Sequence, residues 1–440
     1  MTKRKLDIII TANSPGEVST WLTPAIRALR ERLPDSEFTV FIPPCPFASG
    51  REEAIAAALP GVKRTFNRRQ LLSFILTGKG LPGFDPGPRG IVLFLGGDLA
   101  YAALLARRLG YPAFAYTEGR VQWLHQFTGF LLPHDQARTK AIKSGAPGDK
   151  LYVVGDLMLD AIEMQWPKSD FYEILRLDEN RPVIALLPGS RPQEFKHVLP
   201  MLLRSAEIIS RDLRAVQFVV GVSPFITEGL LKETLSNPGD ALEGTGGELM
   251  EVAPSGALAD LDHGMAASRT ASKPSHLGHV WYIRTLAGLE LPAVQGWQYD
   301  VMGIASLAIT IPGSNTAEMA GLGLPMLVVT PLNKPEAIPL EGIPGLVGGV
   351  PLVGTLIKRR AVLATAKRVK YTSLPNRRAQ SEIVPELKGE LHPEDVAIAV
   401  GNLMRNPDKL RTMSKQLKEV MGKPGAARIM AETIAAVIEQ

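Results

Sequence analysis

Leu186-Leu187-Pro188-Gly189-Ser190-Arg191 and Ile311-Pro312-Gly313-Ser314-Asn315-Thr316-Ala317-Glu318 share one pattern: an apolar run ends in glycine and hydroxyl residues, and a helical pattern opens behind it. A strand that runs into a helix in this way marks an α/β fold. At a helix start, unpaired backbone N–H groups and the positive end of the helix dipole attract an anion. Gly189 and Gly313 let that anion approach the main chain, with Ser190, Ser314, Asn315 and Thr316 as short polar neighbours. Arg191 adds a forked, permanently charged donor, and Glu194 follows it closely. Glu318 falls about one turn into its helix, where a carboxylate can accept from two adjacent hydroxyls such as those of a ribose. Together these residues point to a bound nucleotide diphosphate. Ordinary strand-to-helix turns, rich in Gly, Ser and Asn for capping reasons alone, are the competing reading.

A chain of 440 residues exceeds what one hydrophobic core serves, so two domains are expected. The lone cysteine, Cys45, rules out an intramolecular disulfide framework and a cysteine-based zinc cluster, which fits a reducing, cytoplasmic setting. The basic and apolar start, residues 1–10, reads as a first buried strand and not as a signal peptide. The net charge of +5 is modest, and its basic residues do not alternate with aromatics, so no nucleic-acid partner is expected. Basic residues do border apolar ones in segment 63–84 and in 338–357, which runs into Lys358-Arg359-Arg360. Neither can cross a bilayer, since the first is short and the second is broken by Pro339, Pro344 and Pro351. Lying on an anionic membrane surface and forming a buried hairpin with a solvated basic edge are both compatible with them.

Apolar, β-branched or aromatic runs at 6–11, 38–42, 91–95, 113–116 and 151–154 alternate with helical patterns, as in a parallel sheet covered on both faces. The pattern pauses near 165–180 and resumes with runs at 183–187, 216–221, 306–311 and 326–330. The expected domains are therefore 1–168 and 180–405, the second with an insertion at 236–274 too poor in bulky apolar groups to build much core. Helical stretches at 393–405, 407–421 and 426–439 follow, and 406–440 is expected to pack back toward the N-terminal domain.

Ligands of such sheets bind beyond the carboxyl ends of the strands. Asn13-Ser14-Pro15-Gly16-Glu17 and Gly96-Gly97-Asp98 both fall there. Asp98, at the end of a buried strand, is the candidate general base if the cleft desolvates it, or else an N-cap for the following helix. Glu17 could touch an acceptor sugar or merely favour the first turn of its helix, with Asn13, Ser14 and Gly16 lining the same loop. His125, His134 and His197 have no metal-like spacing, and no Asp-X-Asp pair of the kind that carries a divalent ion on a sugar nucleotide is expected. No metal or cofactor is expected, so the charge of a departing diphosphate falls to backbone dipoles and Arg191.

With these elements in place the chain resembles the lipid-A-disaccharide synthase family along most of its length. The resemblance rests on Leu186–Leu187–Pro188–Gly189–Ser190–Arg191 with Glu194, on Glu318 followed by Pro325-Met326, and on Tyr371-Thr372-Ser373-Leu374-Pro375-Asn376 with Glu382-Ile383-Val384-Pro385-Glu386-Leu387. Pro15-Gly16-Glu17 and Gly97-Asp98 match the first loop and the catalytic aspartate of that family. The resemblance implies an α/β GT-B architecture: two doubly wound Rossmann-like domains facing an interdomain cleft, the C-terminal one binding a UDP-sugar and including Asn376 among its substrate-binding residues. It implies a hexosyltransferase, with no cofactor, peripheral to the cytoplasmic face of the membrane. That enzyme would move an acylated glucosamine to a glycolipid with inversion, Asp98 taking the acceptor proton. Val18-Ser19-Thr20-Trp21 and Leu99-Ala100-Tyr101-Ala102 depart from the family pattern on the acceptor side. A transferase for a different glycolipid, a UDP-sugar 2-epimerase-like enzyme and a catalytically silent binding protein are the other readings, and a homodimer is left open.

Overall fold

Strand β1 (Leu6–Thr11) is buried along nearly all its length, as a strand covered on both faces must be. The computed structural model describes residues 6–45, 48–237, 245–250, 278–333 and 369–439. They form two units, Met1–Ile162 with Gly422–Gln440, and Glu163–Met421.

In the first unit, β2 (Ser36–Phe41), β3 (Val62–Phe66), β4 (Gly90–Phe94), β5 (Ala113–Tyr116), β6 (Gly129–Leu132) and β7 (Leu151–Val153) join β1. The sheet order is β3-β2-β1-β4-β5-β6-β7, every described pair parallel. The direction of winding reverses between β1 and β4, so a crevice opens beyond their carboxyl ends. Loops 12–17 and 95–98 leave the sheet at that point.

The second unit contains β8 (Val183–Leu187), β9 (Gln217–Val222), β10 (Gly247–Met250), β11 (His279–Thr285), β12 (Glu290–Gln295), β13 (Leu307–Thr310), β14 (Met326–Pro331) and β15 (Glu386–Gly389), in the order β10-β11-β12-β9-β8-β13-β14-β15. Its winding reverses between β8 and β13. The sheet is not wholly parallel: β10, β11 and β12 form an antiparallel meander on one edge. β10 falls inside the 236–274 stretch, whose other residues, apart from 236–237 and 245–246, lie outside the described ones.

Segment 63–84 is more of a core element than its charge suggests. It supplies edge strand β3 and the helix Arg68–Thr77, which is capped by Asn67. Leu71 and Phe74 are buried, and Phe41, Phe66, Phe74 and Phe84 pack into one aromatic cluster. Only part of the helix faces outward: Leu72 is 36% and Leu76 77% exposed. The second basic-apolar segment, 338–357, lies outside the described residues.

The C-terminal block divides at residue 421 and does not move as a whole to the first unit. The helix Pro407–Met421 stays with the second unit, where Lys418 packs over Gly323. The helix Ala426–Ile438 alone joins the first unit. Asp160 accepts the backbone N–H groups of Gly425 and Ala427 at its start, and Arg32 pairs with Glu439 at its end, 3.0 Å apart.

Candidate active site

In the second unit the two glycine turns lie side by side. β8 and β13 are neighbours in the sheet, Leu187 opposite Thr310, so Pro188-Gly189-Ser190 and Pro312-Gly313-Ser314 leave it together. Gly189 has φ +100°, and a β-carbon there would come within 2.5 Å of Ile311 Cδ1, so this turn needs glycine for both conformation and space. Arg191 occupies the N-cap position of the long helix Pro192–Asp212. Its guanidinium donates to Glu194 Oε1 at 2.8 Å, which holds it at the helix start. In the second turn Asn315 Nδ2 donates to Thr310 Oγ1 at 2.6 Å. Ser190, Ser314 and Asn315 are half-buried and Gly313 is exposed.

Three residues of the expected substrate set are also held by neighbours within the fold. Glu318 is 5% exposed, and the Tyr299 hydroxyl donates to its Oε1 at 2.5 Å. Burial and the adjacent carboxylate push the Tyr299 phenol well above its ordinary value, so it remains a donor. Thr316 is buried; its hydroxyl donates to Gly313 O at 2.7 Å and accepts from Leu374 N at 3.2 Å, tying the second turn to the Ser373–Asn376 segment. Asn376 is fully buried and saturated: Nδ2 donates to Val384 O and Glu386 Oε1, and Oδ1 accepts from Ile383 N and Val384 N. It therefore does not present its amide to a ligand.

The centre of that network is Glu386. It accepts from the backbone N–H and hydroxyl of both Thr372 and Ser373, and from Asn376. Burial opposes its charge, but the Ser373 and Thr372 donors outweigh this and hold the carboxyl below its ordinary value. The spacing of Ser-Leu-Pro-Asn from Val-Pro-Glu thus has a structural cause: it fastens the helix Leu374–Ala379 to strand β15, and through Thr316 to the second glycine turn.

In the first unit, Ser14 caps the helix start with a capping box, and Glu17 Oε2 accepts from Asn13 N and Ser14 N at 3.2 and 3.1 Å. The same carboxylate receives the Gly97 backbone amide and fills the space beside Gly96, where a β-carbon would sit 1.9 Å from Oε2. Burial raises its proton affinity despite these donors. Glu17 is therefore a clasp between the loops after β1 and β4, and it remains half-buried. Asn13 is 5% exposed and donates to Pro44 O at 3.0 Å, drawing in the loop after β2. Gly16 O accepts from Thr20 Oγ1 at 2.7 Å. Val18–Leu22, which holds one of the two stretches that depart from the family pattern, is one turn of π-helix, a feature often found at functional sites.

Asp98 does cap the helix Leu99–Leu109, Oδ1 accepting from Ala100 N at 2.9 Å. It is not desolvated as expected: its side chain is 53% exposed, and Oδ2 lies 3.7 Å from the Arg120 guanidinium. Arg120 comes from the loop after β5, Tyr299 from the first turn of the helix Gln298–Ile304, and Glu386 from an edge strand. None carries a local motif that names its partner, because each contact is made across the fold. Among the described residues no helix is long and apolar enough to cross a membrane.

A family model for lipid-A-disaccharide synthetase matches residues 148–271. The lipid-A-disaccharide synthase of Syntrophus aciditrophicus is 23% identical over 347 residues, covering 75% of this chain and 71% of that protein. The one from Geobacter metallireducens is 23% identical over 293 residues, 66% of this chain, and the match spans only 57% of its own length. The Persephonella marina synthase reaches 33% identity over 121 residues, 26% of this chain and 31% of its own. Among solved structures, the UDP-GlcNAc 2-epimerase of Neisseria meningitidis, bound to UDP-GlcNAc, superposes with a TM-score of 0.52 at 13% identity, covering 98% of this chain and all of that one. A Listeria monocytogenes structure described as a UDP-N-acetylglucosamine 2-epimerase gives 0.55 at 12% identity, with 99% and 97% covered. These neighbours have the GT-B fold, and the sequence of the chain is similar to those of lipid-A-disaccharide synthases.

Proposed function

We propose that the protein is a UDP-sugar-dependent hexosyltransferase that glycosylates a lipid-linked sugar, a reading supported by its resemblance to proteins named lipid-A-disaccharide synthases. One observation carries the reading: the Gly189 and Gly313 turns sit together beyond the carboxyl ends of neighbouring strands at the reversal point of their sheet, with Arg191 held at a helix start beside them. There the pyrophosphate of a UDP-sugar would accept from backbone amides and from Arg191. In the first unit, Asp98 stands at the equivalent reversal point and would take the proton of the acceptor hydroxyl. The acceptor oxygen then bonds to the anomeric carbon as the bond from that carbon to the UDP oxygen breaks, with inversion, and UDP leaves carrying the electron pair. The charge of the leaving diphosphate is met by the amides and Arg191, with no metal in the scheme.

Membrane contact belongs to the same proposal. The outward face of the helix Arg68–Thr77 presents Leu72 and Leu76, with Arg68, Arg69 and Lys79 exposed nearby. That composition suits the surface of an anionic leaflet, on the cytoplasmic side.

Release of UDP from a UDP-N-acylglucosamine donor, assayed with and without an acylated glucosamine acceptor, tests the assignment. Transfer requires release that depends on the acceptor and matches glycosylated lipid mole for mole. Isomerised sugar nucleotide formed without acceptor would instead establish epimerisation.

A further inference from the structure

The loop between β5 and β6, residues 117–128, is pinned at almost every position, yet it holds a tryptophan outward. Thr117 Oγ1 donates to Arg120 O at 2.8 Å and accepts from Gly119 N. Val121 and Phe127 are buried, and Leu124 packs against the hydrophobic core. Lys150 Nζ donates to Leu124 O at 2.9 Å and Phe127 O at 2.8 Å, and Gln126 N closes a turn onto Trp123 O at 2.8 Å. Between these anchors Trp123 has φ +57°, a conformation that a residue with a β-carbon adopts only under constraint, and it is 49% exposed. Of the five tryptophans it is the exposed one. Three residues earlier in the same loop, Arg120 reaches Asp98.

We propose that Trp123 is the stacking platform for the sugar ring of the acceptor, and that Arg120, from the same loop, orients Asp98 toward the hydroxyl that ring presents. This rests on the reading of Asp98 as the acceptor's base. An indole face suits the C–H face of a pyranose, which is apolar while its edge is polar. A rigid loop that keeps the indole exposed loses little conformational entropy when a ring settles on it. Arg120 is a positioning residue: its guanidinium touches Asp98 and not the reacting atoms.

The test is a fluorescence titration with a short-chain N-acylglucosamine glycolipid, run on the parent protein and on Asp98→Asn, in which binding proceeds without turnover. Tryptophan emission should change on binding in both proteins, and the change should disappear in Trp123→Phe. In acceptor-dependent assays, Trp123→Ala should raise acceptor KM about three- to ten-fold with the UDP dissociation constant unchanged, and Trp123→Phe should recover most of the loss. Should Trp123→Ala fold poorly, Trp123→Gly relieves the positive φ and carries the same expectation. An unchanged acceptor KM in the folded variants overturns the platform, as does an emission change produced equally by sugar-free anionic phospholipid vesicles, which would make Trp123 a membrane anchor. An active Asp98→Asn would refute the base assignment and the orienting role of Arg120 with it, whereas the Trp123 platform is judged separately, because its titration is read independently of turnover.

Discussion

At Asp98, Oδ1 caps a helix while Oδ2 sits in the open beside Arg120, so the two readings that the sequence left open for this residue are not alternatives. Capping fixes the carboxylate and solvent access lets a substrate hydroxyl reach it. The turn before it was legible because Gly-Gly-Asp after a buried run can hardly be anything but a strand end. Arg120 was not, since nothing in residues 117–128 says which strand end their loop leans toward. Glu17 and Asn376 show the limit in the other direction: their residue types suit ligand binding, but both are consumed by neighbours within the fold. Arg191 is the residue on the donor side whose removal should be felt at once. Arg191→Ala should weaken UDP binding about ten- to a hundred-fold, the worth of a lost charge-assisted hydrogen bond to phosphate, as read by calorimetry. Unchanged affinity would reduce the Gly189 turn to a connection.

Among the elements, most buried central strands were visible in sequence and most edges were not, although the edge strand β7 was read at 151–154 and the buried β6 was missed. β4, β5 and β8 are continuous apolar runs and β1 and β14 are predominantly apolar, as strands covered on both faces must be. β3, β10, β11 and β15 are edge strands or part of an edge meander, and they carry charge that hides their period. The Glu386 network is the element-scale counterpart of that blindness, because a strand of mixed polarity gains its meaning only from the helix it fastens. Glu386→Gln should cost about 2–3 kcal/mol by urea unfolding at neutral pH, since several buried donors lose an ionised acceptor. The folded carboxyl titrates below its ordinary value of 4.5, so this stabilisation is present above that pH and lost as the pH falls through the folded value. The difference between parent and variant should therefore shrink on acidification; a difference independent of pH would mean that the charge of Glu386 is not what holds the network.

For the molecule as a whole, two sheets each reverse their winding once, and each gathers its candidate residues at that reversal. The proposal of one phosphate-binding and one acceptor-binding unit draws on this repetition, and both reversals were legible because glycine turns mark them. The proposed membrane contact of the first unit would depend on far fewer residues than the 63–84 segment contains, since half of its apolar side chains are core. Leu72→Glu with Leu76→Glu should abolish recovery of the protein with anionic vesicles at low salt and leave UDP affinity unchanged, while raised salt should weaken recovery of the parent. Equal pelleting of parent and variant would place the contact elsewhere. The central claim, that Asp98 activates the acceptor while the second unit holds UDP, is tested most directly by one comparison. In Asp98→Asn the cap is kept, because asparagine caps as well as aspartate does. Expected is an unchanged UDP dissociation constant with a transfer rate lower by about two to four orders of magnitude; a variant that transfers sugar at the parent rate would contradict it.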